Sequence, residues 1–153
     1  MSYDRDKLVR QVFSDATSLN LIDHGPKHWM KVAQNGIMLA RKEGVDTLFC
    51  EIFGLLHDCQ RLDDYGDKQH GARAAQYARS IGTLIPLSPR EFKDLLYALT
   101  WHDNRTHTKN IQIGCCWDAD RLELPRVGVI TDPRMLNTDT AKKIARDRIR
   151  RMR

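Results

Sequence analysis

The segment Leu48 to Leu56, LFCEIFGLL, constrains the fold more than any other, because it is apolar around most of its circumference and runs directly into His57 and Asp58. Asp46 is a good N-cap, so the spacing of Leu48, Phe49, Ile52, Phe53, Leu55 and Leu56 predicts a central buried helix. Such a helix has to be wrapped by others, and the rest of the chain supplies them. Leu8, Val9, Val12 and Phe13 mark one face of a first helix over Asp6 to Ser18. Asp23 as N-cap and Pro26 in the first turn open a second, through Trp29, Val32, Ala33, Ile37 and Leu39 to Glu43, with Gly44 as its stop. His24 and His28, four apart, are expected on one face near its start. The polar stretch Gln60 to Lys68 reads as a loop, and GARAAQYARSIG predicts a fourth helix of small residues that pack closely. Ser88 and Pro89 open a fifth, which runs through Phe92, Leu95, Leu96 and Leu99 to Trp101 and His102. A sixth is expected over Ile111 to Leu124, ended by Pro125. Residues 126–139 read as irregular, before a basic final helix over about 139–153. No stretch carries the paired strand and hairpin pattern of a sheet. The expectation is all-α: one compact domain of about six to seven helices over residues 1–153.

Size and composition agree with a folded chain. The 153 residues are enough for one sizeable core, and 41% hydrophobic against 29% charged residues is too apolar for disorder. No apolar run reaches the roughly 20 residues of a membrane span. The start, MSYDRDKLVR, lacks the apolar region of a signal peptide, so a cytoplasmic protein with no membrane partner is expected. Cys50, Cys59, Cys115 and Cys116 lack the density of a disulfide scaffold and form no CxxC pair; they read as reduced thiols, the adjacent two as small core residues. The net charge of +5 lies in the tail AKKIARDRIRRMR, and the remainder is near neutral. That tail reads as a structural helix with Ile144 and Ile149 on the core. A nucleic-acid arm is the other reading, against which stands the absence of any aromatic side chain on which bases could stack.

His57 and Asp58 draw attention on physical grounds, since burying such groups is costly without a partner. A divalent metal suits neutral imidazole and carboxylate together; a structural His–Asp hydrogen bond is the other solution. The pair has company, in order along the chain: His28 in HGPKHW, His70 in DKQHG, His102 in ALTWHD and Asp120 in DADRL. This order and these settings, from about residue 24 to residue 124, resemble the HD superfamily of metal-dependent phosphohydrolases. The resemblance implies that His28, His57, Asp58 and Asp120 hold a first metal. His70 and His102 extend it to members with two further histidines, which bind two metals bridged by the doublet Asp, here Asp58. Asp118 is the competing late ligand, with Asp120 preferred. His24 is left outside the ligand set, and His107 is read as a pocket-rim residue.

One or two divalent ions (Mn, Fe, Ni, Co or Zn) are therefore expected, activating water against a small phosphorylated substrate. Phosphate also needs cations, and Arg61, Lys68, Arg105, Lys109 and Arg121 are candidates. Arg61 and Arg105 rank first because they flank proposed ligands and a guanidinium binds phosphate in a bidentate way. Asp58, Arg61 and Arg105 are thus the expected catalytic groups. The chain lacks the GYP segment of the cyclic dinucleotide phosphodiesterases, and Asp103 follows His102 where that branch often has a second His and a Glu. It also lacks the synthetase and sensor domains of the alarmone hydrolases, so a small metabolite or nucleotide is the expected substrate. An HD-type di-iron oxygenase and a non-enzymatic ligand- or nucleic-acid-binding module stay open as alternatives. The substrate, the metal and the oligomeric state are not legible in the sequence.

Overall fold

A computed structural model describes residues 3–153. Its helices are α1 (Arg5–Asp15), α2 (Pro26–Glu43), α3 (Thr47–Leu56), α4 (His70–Ser80), α5 (Pro89–Trp101), α6 (Ile111–Arg121) and α7 (Asp139–Arg151), joined in places by short 3₁₀ turns. No strand occurs among the described residues, and none of the helices is long and apolar enough to cross a membrane.

The central helix is α3. Phe49, Ile52, Phe53, Leu55 and Leu56 are essentially inaccessible to solvent, and α2, α5 and α6 pack around them. Asp46 caps α3 by accepting from the Leu48 amide, and Ser88 caps α5 by accepting from the Glu91 amide, both at the expected positions. Two glycines let helices approach closely. A Cβ on Gly54 would stand 2.4 Å from the Ala33 backbone nitrogen, so α3 crosses α2 nearly backbone to backbone. A Cβ on Gly71 would meet the carbonyl oxygens of Leu99 and Thr100 at 2.6 and 2.7 Å, which seats the start of α4 on the end of α5. These crossings lie beside His57 and His70, respectively, and so fix where the candidate ligands emerge.

Several boundaries differ from the sequence expectation. Helix α1 stops at Asp15, not Ser18, because Ala16 turns extended and sends Thr17 and Ser18 onto the doublet's turn. The Ser18 hydroxyl donates to the Asp58 carbonyl and the Thr17 hydroxyl to that of Arg61, at 2.8 and 2.9 Å. The N-cap of α2 is Gly25, not Asp23, so His24 precedes the helix instead of sharing a helical face with His28. Helix α6 ends at Arg121, and Pro125 sits inside a 3₁₀ turn over Leu124–Val127. The stretch read as irregular contains that turn's end and another over Pro133–Met135. In α7 the buried residues are Ala141 and Ala145, with Ile144 packed against the core; Ile149 lies outside the core, beside a shallow apolar groove. All four cysteines are buried and unpaired.

Candidate metal centre

Five helices deliver the six candidate ligands to one place. His28 comes from the first turn of α2. His57 and Asp58 come from the end of α3, His70 from the first residue of α4, His102 from the C-cap of α5 and Asp120 from the last turn of α6. They form two groups of three, each able to hold a metal ion: His28, His57 and Asp120, and Asp58, His70 and His102.

Asp58 connects the groups. Its Oδ2 lies 3.2 Å from His28 Nε2 and 3.3 Å from His57 Nε2, while its Oδ1 lies 3.4 Å from His70 Nε2 and 3.6 Å from His102 Nε2. Asp120 Oδ1 closes the first group at 3.1 Å from His28 Nε2 and 3.5 Å from His57 Nε2. Ligands about 2.0–2.1 Å from a tetrahedral ion stand roughly 3.4 Å apart, so these separations have the right scale.

The hydrogen bonds behind the histidines decide which nitrogen faces inward. His57 Nδ1 contacts the Gly54 carbonyl at 2.8 Å, His102 Nδ1 that of Leu99 at 2.7 Å, and His70 Nδ1 that of Asp67. A carbonyl can only accept, so each Nδ1 carries hydrogen and each Nε2 is left to face the cluster. His28 and His57 then oppose Nε2 atoms at 3.0 Å, and His70 and His102 at 2.9 Å. Lone pairs facing at such distances repel unless a cation lies among them. Asp58 Oδ1 is also buried without a hydrogen-bond partner. The donor set therefore fits a divalent metal, and its His and carboxylate composition suits Mn, Fe, Co, Ni or Zn.

The electrostatics of the two groups differ. Burial alone would lower the pKa of His28, but Asp120, Asp58 and Glu123 override it and raise it to about 10. His57 is likewise opposed by burial, yet Asp58 and Asp120 raise it to about 9. His70 moves the other way, lowered by burial and by the neighbouring His102. Burial opposes ionisation of Asp58 and Asp120, and the surrounding histidines outweigh it, holding both well below the usual carboxylate range.

The cluster floors a cavity of about 420 Å³. Arg61 lines it, almost fully buried, with Nε donating to the Asp63 carbonyl at 2.7 Å and Nη1 standing 3.4 Å from His70 Nε2. Arg105 also lines it, but at the exposed rim, with its guanidinium 4.8 Å from the centre of the Trp101 ring. Arg121 points to structural work: its guanidinium donates to the carbonyls of Arg105, Thr106 and Met135 and so holds the rim loop. Lys68 and Lys109 do not line the cavity.

Asp118 is not at the cluster. It is completely buried and accepts from the amides of Asn137 and Thr138 and from both their side chains, tying α6 to the start of α7. Burial raises its pKa despite those bonds. His24 lines the cavity with Nδ1 2.7 Å from Asp64 Oδ1. His107 faces away, at the edge of a different cleft, 3.0 Å from the Arg134 carbonyl.

One cationic residue of the cavity was not among the expected phosphate ligands. Arg126 donates through Nε to the Asp23 carbonyl and through Nη1 to that of Glu123, and its Nη2 stands 3.3 Å from His28 Nε2. It lies in a 3₁₀ turn without periodic pattern, so its sole signal was its position soon after DADRL.

The fold is similar to that of a predicted HD superfamily hydrolase from an uncultured Thermotogales bacterium, known from a crystal structure: the TM-score is 0.73 and the identity 25%, over 95% of this chain and 83% of that one. No protein-family model and no curated protein matches the chain. Fold, order of the histidines and aspartates, and this likeness together support the resemblance to the HD superfamily.

Proposed function

We propose that the protein is a metal-dependent phosphohydrolase that cleaves a phosphate ester of a small metabolite or nucleotide, with six His and Asp side chains that would hold two divalent ions and Asp58 offering an oxygen to each group. The observation that carries the reading is the pairing of each ligand triad with a guanidinium, Arg61 against His70 and Arg126 against His28, on the floor of one cavity. The Thermotogales neighbour is described as a predicted hydrolase, which supports hydrolysis as the reaction class.

His28, His57, Asp58 and Asp120 would hold one ion and Asp58, His70 and His102 the other. Bound there, the metals supply an acidified water as nucleophile and positive charge for the phosphoryl oxygens. Arg61, beside His70, and Arg126, beside His28, would bind the phosphate, each fixed by a backbone carbonyl so that little order is lost on binding. Arg105, stacked over Trp101, meets the substrate at the rim.

The test is phosphate release from a panel of phosphorylated metabolites and nucleotides by protein loaded separately with manganese, cobalt, nickel, zinc and iron. Release with at least one metal is expected. No release with any, together with substrate-dependent oxygen consumption by the iron form, would replace the reading with a di-iron oxygenase.

A further inference from the structure

Besides the candidate ligands, the cavity has an apolar wall. Leu124, Val129, Ile130 and Met135 line it, all from the single segment between α6 and α7. Val129 is 48% exposed, Ile130 58% and Met135 45%, although each is a large apolar side chain in a chain with a well-filled core. Single exposed apolar residues need no explanation; several grouped at the mouth of a polar site do.

The segment is held in this position. The Val129 amide donates to the Leu124 carbonyl at 3.2 Å and the Gly128 amide to that of Pro125 at 3.0 Å, with Gly128 left-handed at φ 81° to make the turn. The Thr131 hydroxyl anchors the far end on the Arg121 carbonyl at 2.8 Å. Val129 and Ile130 also border the shallow groove along α7 lined by Ile149 and Met152, so the apolar surface continues outward past the cavity mouth. Among the described residues no Phe, Tyr or Trp side chain lines the cavity, so the broad rings that best stack on a nucleobase are missing there.

Resting on the phosphohydrolase reading above, we infer that the preferred substrates are monophosphate esters of aliphatic groups, with the phosphate on the floor and the hydrocarbon against Leu124, Val129, Ile130 and Met135. Within the small-metabolite class this favours apolar over sugar-like or nucleoside esters. Burying a methylene is worth about fourfold in affinity, so the wall should be readable as a dependence on chain length.

Alkylphosphonates test this independently of turnover, because their carbon–phosphorus bond is not hydrolysed. Calorimetric titration of the manganese-loaded protein with methyl-, propyl-, butyl- and hexylphosphonate, and with the polar 3-hydroxypropylphosphonate, is the experiment. Affinity should rise at least about tenfold from methyl to hexyl, and the hydroxylated chain should bind several-fold more weakly than butylphosphonate, which has the same number of chain heavy atoms. Ile130→Ser and Val129→Ser, at exposed positions, should flatten the chain-length dependence while leaving the melting temperature near that of the parent. Equal affinity along the series would overturn the aliphatic preference and leave the phosphate floor standing. Binding of none of them, methylphosphonate included, would overturn both. Tighter binding of adenosine monophosphate than of hexylphosphonate would assign the wall to nucleosides and also overturn the inference.

Discussion

The two triads at the bottom of the cavity use the same residue types and behave as opposites. The first sets two carboxylates, Asp58 and Asp120, against His28 and His57, and both histidines are raised, to about 10 and about 9. The second sets Asp58 Oδ1 alone against His70 and His102, and His70 is lowered. The lesson is that ligand type predicts a metal site, whereas the ratio of carboxylate to imidazole sets how strongly it attracts positive charge. The first triad should therefore bind the tighter ion and the second the more exchangeable one.

The largest way to break this comparison is to disable each triad alone. Asp120→Ala should lose the tight ion and reduce turnover to near background, whereas His102→Ala should lose only the weaker ion and keep about one metal per chain. Elemental analysis after gel filtration separates the two outcomes, and equal metal loss in both would show that the triads act as one site. Next in size, Arg61→Ala and Arg126→Ala should each lower kcat/KM by about 10²–10³ with metal content intact, the scale for losing one donor to a developing charge. Arg105→Ala, at the open rim, should cost less.

A smaller effect sharpens the electrostatic contrast. In the metal-free protein the carboxylates around His28 and His57 favour a proton on this pair, and a metal must displace it. First-ion affinity should accordingly rise with pH between about 6 and 8, approaching tenfold per pH unit for each proton expelled. Second-ion affinity should change less over the same range, because burial and the neighbouring His102 already disfavour the charged form of His70. Metal titration by calorimetry in buffers of different ionisation enthalpy counts the protons directly. For protein kept in chelator the sign reverses: raised histidines contribute stability that is present below about pH 6.5 and lost as pH rises through about 9 to 10.

The smallest effect expected is at the tail. Ala141 and Ala145 are buried, Arg148 donates to the Leu122 carbonyl at 2.8 Å, and Lys143 pairs with Asp147 at 3.0 Å, so much of α7 serves the fold. Changing the exposed Arg150, Arg151 and Arg153 to Glu should leave hydrolysis unchanged. Nucleic acid should bind the parent no tighter than about micromolar at physiological salt, and tighter binding abolished by those changes would make the tail a functional arm.

The helices were legible because their apolar residues recur with the helical period, and the doublet because His57 and Asp58 end a run too apolar to leave them unpartnered. The order of the other ligands was legible through their local settings, and the structure brings all six together. What the sequence hid has no period. Gly25 displaces Asp23 as the cap of α2 since residues 21–24 are bent away from the helix, and that alone removes His24 from the helical face. Arg126 and the wall of Val129 and Ile130 sit on a 3₁₀ turn and a loop, whose positions follow from a few hydrogen bonds to backbone carbonyls, those of Asp23, Glu123, Leu124 and Arg121 among them. Asp118 and Asp120 look equivalent in DADRL, and the helix turns one toward α7 and the other toward His28.

If Asp58 serves both ligand groups, its loss should empty both, which the metal content of manganese-reconstituted protein beside its Asp58→Ala variant measures, with circular dichroism confirming the fold of each. About two ions per chain are expected in the parent and fewer than one, without turnover, in the variant. A parent that retains no metal, or a folded variant that retains both ions, would contradict that role.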